Sequence, residues 1–240
     1  MNWITPDWSA AKNIHAAVTL RTGGVSQSKF SSLNPAFHVN DEPECVQENR
    51  KVISQMLNLP SEPVWLEQVH SNRIVKADQL SHTAQADGSY TDQSAIVCVI
   101  LTADCLPVLL ATKDGKKIAA VHGGWRGLLA GVIKNAVNEL GSKDIIAWLG
   151  PAIGPDCFEV GSDVRNKFVS KYSVFDRAFR QKNQQKFLAN IYQLAALELE
   201  ILGITEVYGG EYCTMTEKEK FYSYRRDGET GRMATLIWRD

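Results

Sequence analysis

The chain has 240 residues, 44% of them hydrophobic and 22% charged, and its 26 Lys+Arg against 27 Asp+Glu leave a formal net charge of -1. This is the composition of a globular protein rather than a disordered one, and a chain of this length buries a sizeable core without needing a disulfide or metal to fold. The lack of a basic excess argues against a general affinity for nucleic acid or an anionic membrane surface.

No linker rich in Pro or Gly/Ser divides the sequence and no repeat period is visible, so residues 1–240 are read as one domain. Ile14 to Leu20 is expected to be a strand, followed by a long polar loop from Arg21 to Asn40. Asp41 is the expected N-cap of a helix running to about Leu57, with Pro43 in its first turn. Val64 to His70 and Arg73 to Lys76 read as strands, and the alternation places Val64, Leu66, Gln68 and His70 on one face. Ala95 to Leu101 (AIVCVIL) is apolar on both faces, as in a central strand. Pro107 to Thr112 and Lys117 to His122 are the next strands, joined by the turn Lys113-Asp114-Gly115. Trp125 to Leu140 reads as one helix with Leu128, Leu129, Val132, Ile133, Ala136, Val137 and Leu140 on its apolar face, stopped by Gly141. Ile145 to Leu149 is a strand, Val164 to Val169 and Phe187 to Leu202 are helices, and Val207 and Met233 to Trp238 lie in late strands. Hairpins mixed with strand–helix steps predict an α+β fold with mixed sheets. Neither GxGxxG nor GxxxxGK[ST] occurs, so no dinucleotide fingerprint or P-loop is supported.

Three segments bring reactive side chains to element ends: WLEQVHSN with His70, LTADCLPV with Asp104 and Cys105, and AAVHGGWRG with His122. His122 shares its strand face with Ile118 and Ala120 and should point inward. Two histidines and a cysteine at strand ends can make a zinc site with an open fourth position, or a Cys–His nucleophile pair in which imidazole lowers the thiol pKa. The residues alone leave both open. Gly123-Gly124 before a helix either presents backbone N–H groups to an anion or lets strand and helix pack closely. Arg126 in the first turn would add a charged contact, and Arg21, Arg50, Arg225 and Arg226 are further anion candidates. The stretch Trp148 to Pro155, with two Gly-Pro steps, is a rigid loop that forms a site wall or a structural corner.

Of the five cysteines, Cys98 belongs to the core and Cys45, Cys157 and Cys213 are given no role. His15 and His82 are read as surface or strand residues without partners. No CxxC pair and no signal-peptide pattern occur, so free thiols in the cytoplasm are expected. The longest apolar run, Ala95 to Leu101, is too short for a membrane span.

WLEQVH, TADCLPV, VHGGWRGLLAGV, AWLGPAIGP, FEVG and YSYRRDGETGRMA, in this order, resemble the YfiH family, also called the laccase-domain or multicopper polyphenol oxidase-like family and more recently a purine nucleoside phosphorylase family. The resemblance runs from Thr19 to Ile237. It implies a layered α/β/β/α fold, shared with cytotoxic necrotizing factor deamidases that use a Cys–His pair. It also implies zinc held by His70, Cys105 and His122. Two departures stand out: Gly123 replaces the usual Ala after the second histidine, and Asn190 in FLANIYQLA replaces the usual Asp.

The activity so implied is zinc-dependent phosphorolysis of adenosine, inosine and methylthioadenosine, with adenosine deamination as a companion reaction. Gly123, Gly124 and Arg126, with Arg50 and Gln68, are the expected contacts to phosphate and substrate. The older name suggests a copper polyphenol oxidase instead, since His70, Cys105 and His122 could also take copper. A multicopper enzyme needs a histidine-rich cluster besides, and the chain has five histidines in all. A third reading makes Cys105 the nucleophile of an amidase that edits peptidoglycan precursors, with His122 or His70 as base.

Overall fold

The structure, a computed structural model, describes residues 3–240. In chain order its elements are β1 (Trp3–Ile4), β2 (Ile14–Thr19), α1 (Pro43–Met56), β3 (Ile74–Lys76), β4 (Gly88–Thr91), β5 (Cys98–Thr102), β6 (Leu106–Thr112), β7 (Ile118–Gly123), α2 (Trp125–Ala130), α3 (Val132–Leu140), β8 (Ile145–Leu149), β9 (Glu159–Gly161), α4 (Ser162–Lys171), β10 (Phe179–Gln181), β11 (Lys186–Ala189), α5 (Ile191–Ile201), β12 (Val207–Gly209), α6 (Tyr224–Asp227) and β13 (Met233–Arg239), with short 3₁₀ turns between.

The largest sheet has the order β12-β8-β6-β7-β4-β3 and is mixed: its outer pairs β12–β8 and β3–β4 are parallel and the inner pairs antiparallel. A second sheet, β1-β2-β13-β5, is antiparallel throughout. A small third sheet joins β10, β11 and β9.

Side-chain alternation explains how these stack. On β6 and β7, Leu106, Val108, Leu110, Ala119 and Val121 meet Leu128, Val132, Ile133 and Ala136 of the helices and Leu194 and Ala195 of α5. The opposite residues, Leu109, Ala111, Ile118 and Ala120, meet Val18, Cys98, Ile100 and Ile237 of the second sheet. The outer face of that sheet, Val99, Leu101, Ala234 and Leu236, is covered by Ile53 of α1 and by Phe30, Leu33 and Val39. The result is an α/β/β/α stack, in which both sheets are buried on both faces. Each fully buried Leu or Ile stabilises it by about 2 kcal/mol.

Several expected elements differ. Val64–His70 is no strand: its backbone pairing is reduced to isolated bridges, Val64 to Cys98 and Glu67 to Gln85. The Gln68 side-chain amide takes the place of a peptide unit, donating to the Leu101 carbonyl and accepting from the Leu101 N–H, both at 2.8 Å. The long helix breaks at Gly131, whose φ of 85° ends α2 and starts α3. Residues 187–189, expected to be helical, instead belong to β11 between β9 and β10. Asn190 then caps α5, its side chain accepting from the Gln193 N–H at 3.1 Å. The N-cap of α1 is Glu42 rather than Asp41, whose carboxylate holds Ser26 and Asn34. The loop from Arg21 to Asn40 is polar in sequence, yet it buries Phe30, Leu33, Ala36 and Val39.

Candidate metal centre and cavity

Three chain segments converge at one end of the two-sheet sandwich. The turn Ala103–Cys105 carries the chain from β5 in one sheet to β6 in the other. Asp104 takes a φ of 90° there. Its buried carboxylate anchors the turn by accepting from the Thr214 hydroxyl and the Arg225 N–H, both at 2.6 Å. Cys105 follows, half-buried. His122 lies near the end of β7, on the same face as Ile118 and Ala120, and is 3% exposed. His70 closes the Gln68 segment, exposed, with a φ of 60°.

The structure thus brings His70, Cys105 and His122 together, with their ligand atoms all within 4.8 Å of one another. Cys105 Sγ is 3.8 Å from His70 Nε2. The two imidazoles meet edge to face, with ring centroids 4.8 Å apart. Zn–S and Zn–N bond lengths at tetrahedral angles require an S···N separation of roughly 3.5 Å. The donors therefore already stand close to where an ion would hold them, and two imidazoles with one thiolate suit zinc or copper. Among the described residues this is the one such cluster.

Electrostatics prepare the thiol. Burial would raise the Cys105 pKa, but His122 and His70 outweigh it and bring it down to about 6. Burial disfavours a charge on His122, yet Cys105 and its 2.7 Å contact with Asp87 outweigh that and lift it to about 9. Without a metal, the two shifts favour the thiolate form of Cys105 and the protonated form of His122.

Gly124 packs closely against this group. A Cβ there would stand 3.1 Å from His70 and 3.2 Å from Cys105 Sγ. A Cβ on Gly123 would come within 2.8 Å of the Leu106 carbonyl. Close packing is therefore sufficient reason for both glycines. Arg126 is exposed, stacks 4.3 Å from the Trp125 ring and lines the cavity. Gln68 also lines it, with both ends of its amide engaged by Leu101. Arg50 does not line it. Its guanidinium lies 3.8 Å over Trp65 and 4.5 Å over Phe37, donates to the Pro35 carbonyl, and is brought down to about 10 by burial. Arg21 and Arg226 are engaged with backbone carbonyls.

The cavity in front of the trio measures about 400 Å³. Leu101, Ile153, Phe158 and Ile191 form apolar walls, so the rigid loop after β8 does contribute one side. Arg126, Arg225 and Arg232 supply positive charge against a single carboxylate, Asp104. Sequence reading missed four residues here: His38, Tyr224 and Arg232 on the cavity wall, and Asp87 behind the trio. Tyr224 and Arg232 fall inside the YSYRRDGETGRMA motif and could have been found there. His38 and Asp87 sit in no recognisable spacing.

A family described as multi-copper polyphenol oxidoreductase laccase matches residues 15–240, which include every residue of this centre. The chain belongs to that family. Among its relatives, a Haemophilus influenzae protein named purine nucleoside phosphorylase is 47% identical over 242 residues, 99% of each chain. The Escherichia coli purine nucleoside phosphorylase YfiH is 47% identical over 238 residues, 98% of each. The crystal structure of a Neisseria meningitidis protein superposes with a TM-score of 0.97 at 45% identity, covering all of both chains. Membership in the laccase family therefore comes with relatives named for nucleoside phosphorolysis, and the fold is that of the YfiH proteins.

Proposed function

We propose that this laccase-family chain, acting as a single cytoplasmic domain, is a zinc-dependent purine nucleoside phosphorylase that takes adenosine, inosine and methylthioadenosine and also deaminates adenosine. The observation that carries this reading is a cavity with metal-ligating residues at its floor and three arginines on its walls. An anionic cosubstrate is what such a cavity attracts. Relatives named purine nucleoside phosphorylase make phosphate and a nucleoside the natural pair.

Zinc at His70 Nε2, Cys105 Sγ and His122 Nε2 would supply Lewis acidity with one position left open. The chain supplies the rest. Arg126, Arg225 and Arg232 hold phosphate by charge-assisted hydrogen bonds and restrain it for attack at the sugar carbon. Leu101, Ile153, Phe158 and Ile191 take up the flat purine and keep water from its faces. Gln68 keeps the Leu101 wall in place.

The thiolate–imidazolium pair favours one second reading, Cys105 as the nucleophile of an amidase. The copper oxidase reading has less support. His15 is paired with Asp240 and stacked on Trp238, and His82 is exposed beside Ser81, so His38 on the cavity wall is the single further imidazole near the trio, short of the histidine-rich cluster a multicopper enzyme needs. Metal analysis of freshly purified protein, followed by adenosine with and without phosphate, tests the proposal. One zinc per chain and phosphate-dependent release of adenine with ribose 1-phosphate are expected. Adenosine left untouched in both arms by zinc-loaded protein would overturn it.

A further inference from the structure

We propose that Asp87, which lies behind the trio, is the positioning residue of the metal centre: one buried carboxylate sets the tautomer of His122 and clamps the turn that carries His70. The proposal rests on reading the trio as a metal centre.

Asp87 is fully buried at the residue before β4, next to the middle of the large sheet. Its own carbonyl accepts from the His122 N–H at 2.7 Å, so the two residues are already tied through the backbone. Its carboxylate then gathers five donors. Oδ1 takes His122 Nδ1 at 2.7 Å and the His70 N–H at 2.9 Å. Oδ2 takes the Ser71 N–H at 2.5 Å, the Ser71 hydroxyl at 2.7 Å and the Val69 N–H at 3.3 Å. A buried carboxylate unmatched by donors would be unstable, so this convergence is a built arrangement rather than a chance contact.

Two consequences follow from the chemistry of an ionised carboxylate, which only accepts hydrogen bonds. First, His122 Nδ1 must carry the ring proton. Nε2 is then the ring nitrogen that faces the centre, and once it gives up its proton its lone pair is the one that can bind a metal. Second, three successive amides, of Val69, His70 and Ser71, are held to a single group, and this fixes a turn in which His70 adopts a left-handed φ of 60°. Among the described residues, Asp87 is the one whose carboxylate hydrogen-bonds to both histidines of the trio. His70 comes from an irregular segment and His122 from a strand 52 positions later, and Asp87 makes their spacing independent of the metal's arrival.

An Asp87→Asn side chain offers one oxygen and one NH₂ group. Whichever way it turns, a donor faces either His122 Nδ1 or the turn amides, so one of the two duties fails. Zinc affinity, measured by competition with a chromophoric chelator, is expected to fall roughly 10- to 100-fold in Asp87→Asn. Ser71→Ala removes one of the turn's contacts and leaves that of His122 intact, so its affinity should change by less than about 3-fold. The second measurement needs no variant: ¹⁵N shifts of His122 in the zinc-loaded natural chain should show a protonated Nδ1 and a metal-bound Nε2. Zinc on Nδ1, an Asp87→Asn affinity within about 3-fold of the natural chain, or equal losses in Asp87→Asn and Ser71→Ala would each overturn the proposal. A natural chain that bound no zinc at all would remove the metal reading first, and the proposal with it.

Discussion

At the level of single residues the centre depends on Cys105. Cys105→Ala is expected to lose zinc and turnover together, and zinc retained at one per chain would refute the ligand assignment. That variant does not separate metal chemistry from a cysteine nucleophile, because both need the thiol. Alkylation rates do. A thiol whose pKa two imidazoles bring down to about 6 is reactive when bare and shielded when it binds a metal. The zinc-loaded protein should alkylate slowly and the chelated protein fast, whereas a nucleophilic Cys–His pair would alkylate fast before any chelation. Arg126 gives a second residue-level prediction. Its side chain lines the cavity and, among the described residues, stacks on the Trp125 ring. Arg126→Ala should raise the KM for phosphate about 10-fold or more, the value of a lost charge-assisted contact, and affect adenosine deamination far less. Equal losses in both reactions would mark it as a structural arginine.

At the level of elements, Asn190 caps α5. Asp and Asn serve equally at an N-cap, so Asn190→Asp should leave turnover and stability nearly unchanged, while Asn190→Ala should lower stability by about 1 kcal/mol in a denaturant titration. Gly131→Ala should cost roughly 1–2 kcal/mol, because φ there is 85° and the helix must still break. These two positions also show what a sequence can disclose. β5 to β8 were legible because every residue in them is buried and apolar runs of that length have few other uses. The trio stood out because Cys105 and His122 lie at the ends of such segments and all three residues fall on family motifs. Gly131 did not, since a glycine inside an apolar helical pattern is tolerated and does not demand a break. The Val64–His70 segment alternates like a strand, but its ladder position is filled by the Gln68 side chain, which no periodicity reveals. Asp87 is a lone carboxylate in the sequence, and only the fold brings it to His70 and His122.

At the level of the whole molecule, the α/β/β/α stack holds the centre at one end, where the β5–β6 turn passes between sheets, and a buried carboxyl in the helical layer ties stability to pH. Glu198 on α5 is 5% exposed, and burial, against the pull of Lys171 and Lys134, raises its carboxyl to about 7. A carboxyl whose folded value exceeds its unfolded one takes up a proton on folding. Its contribution is therefore intact below about pH 4.5 and is lost as pH rises towards 7. Glu198→Gln removes that loss, so the variant's gain over the natural chain should be larger at pH 8 than at pH 5 by roughly 2 kcal/mol, read from denaturant titrations. A gain independent of pH would show that Glu198 stays ionised. The central claim is that this cavity carries out phosphorolysis only with a metal on His70, Cys105 and His122. Its most direct test is turnover of inosine with phosphate by protein verified to be metal-free, before and after one equivalent of zinc. No ribose 1-phosphate before zinc and full activity after it is the result expected here; full turnover in the metal-free protein would contradict the account.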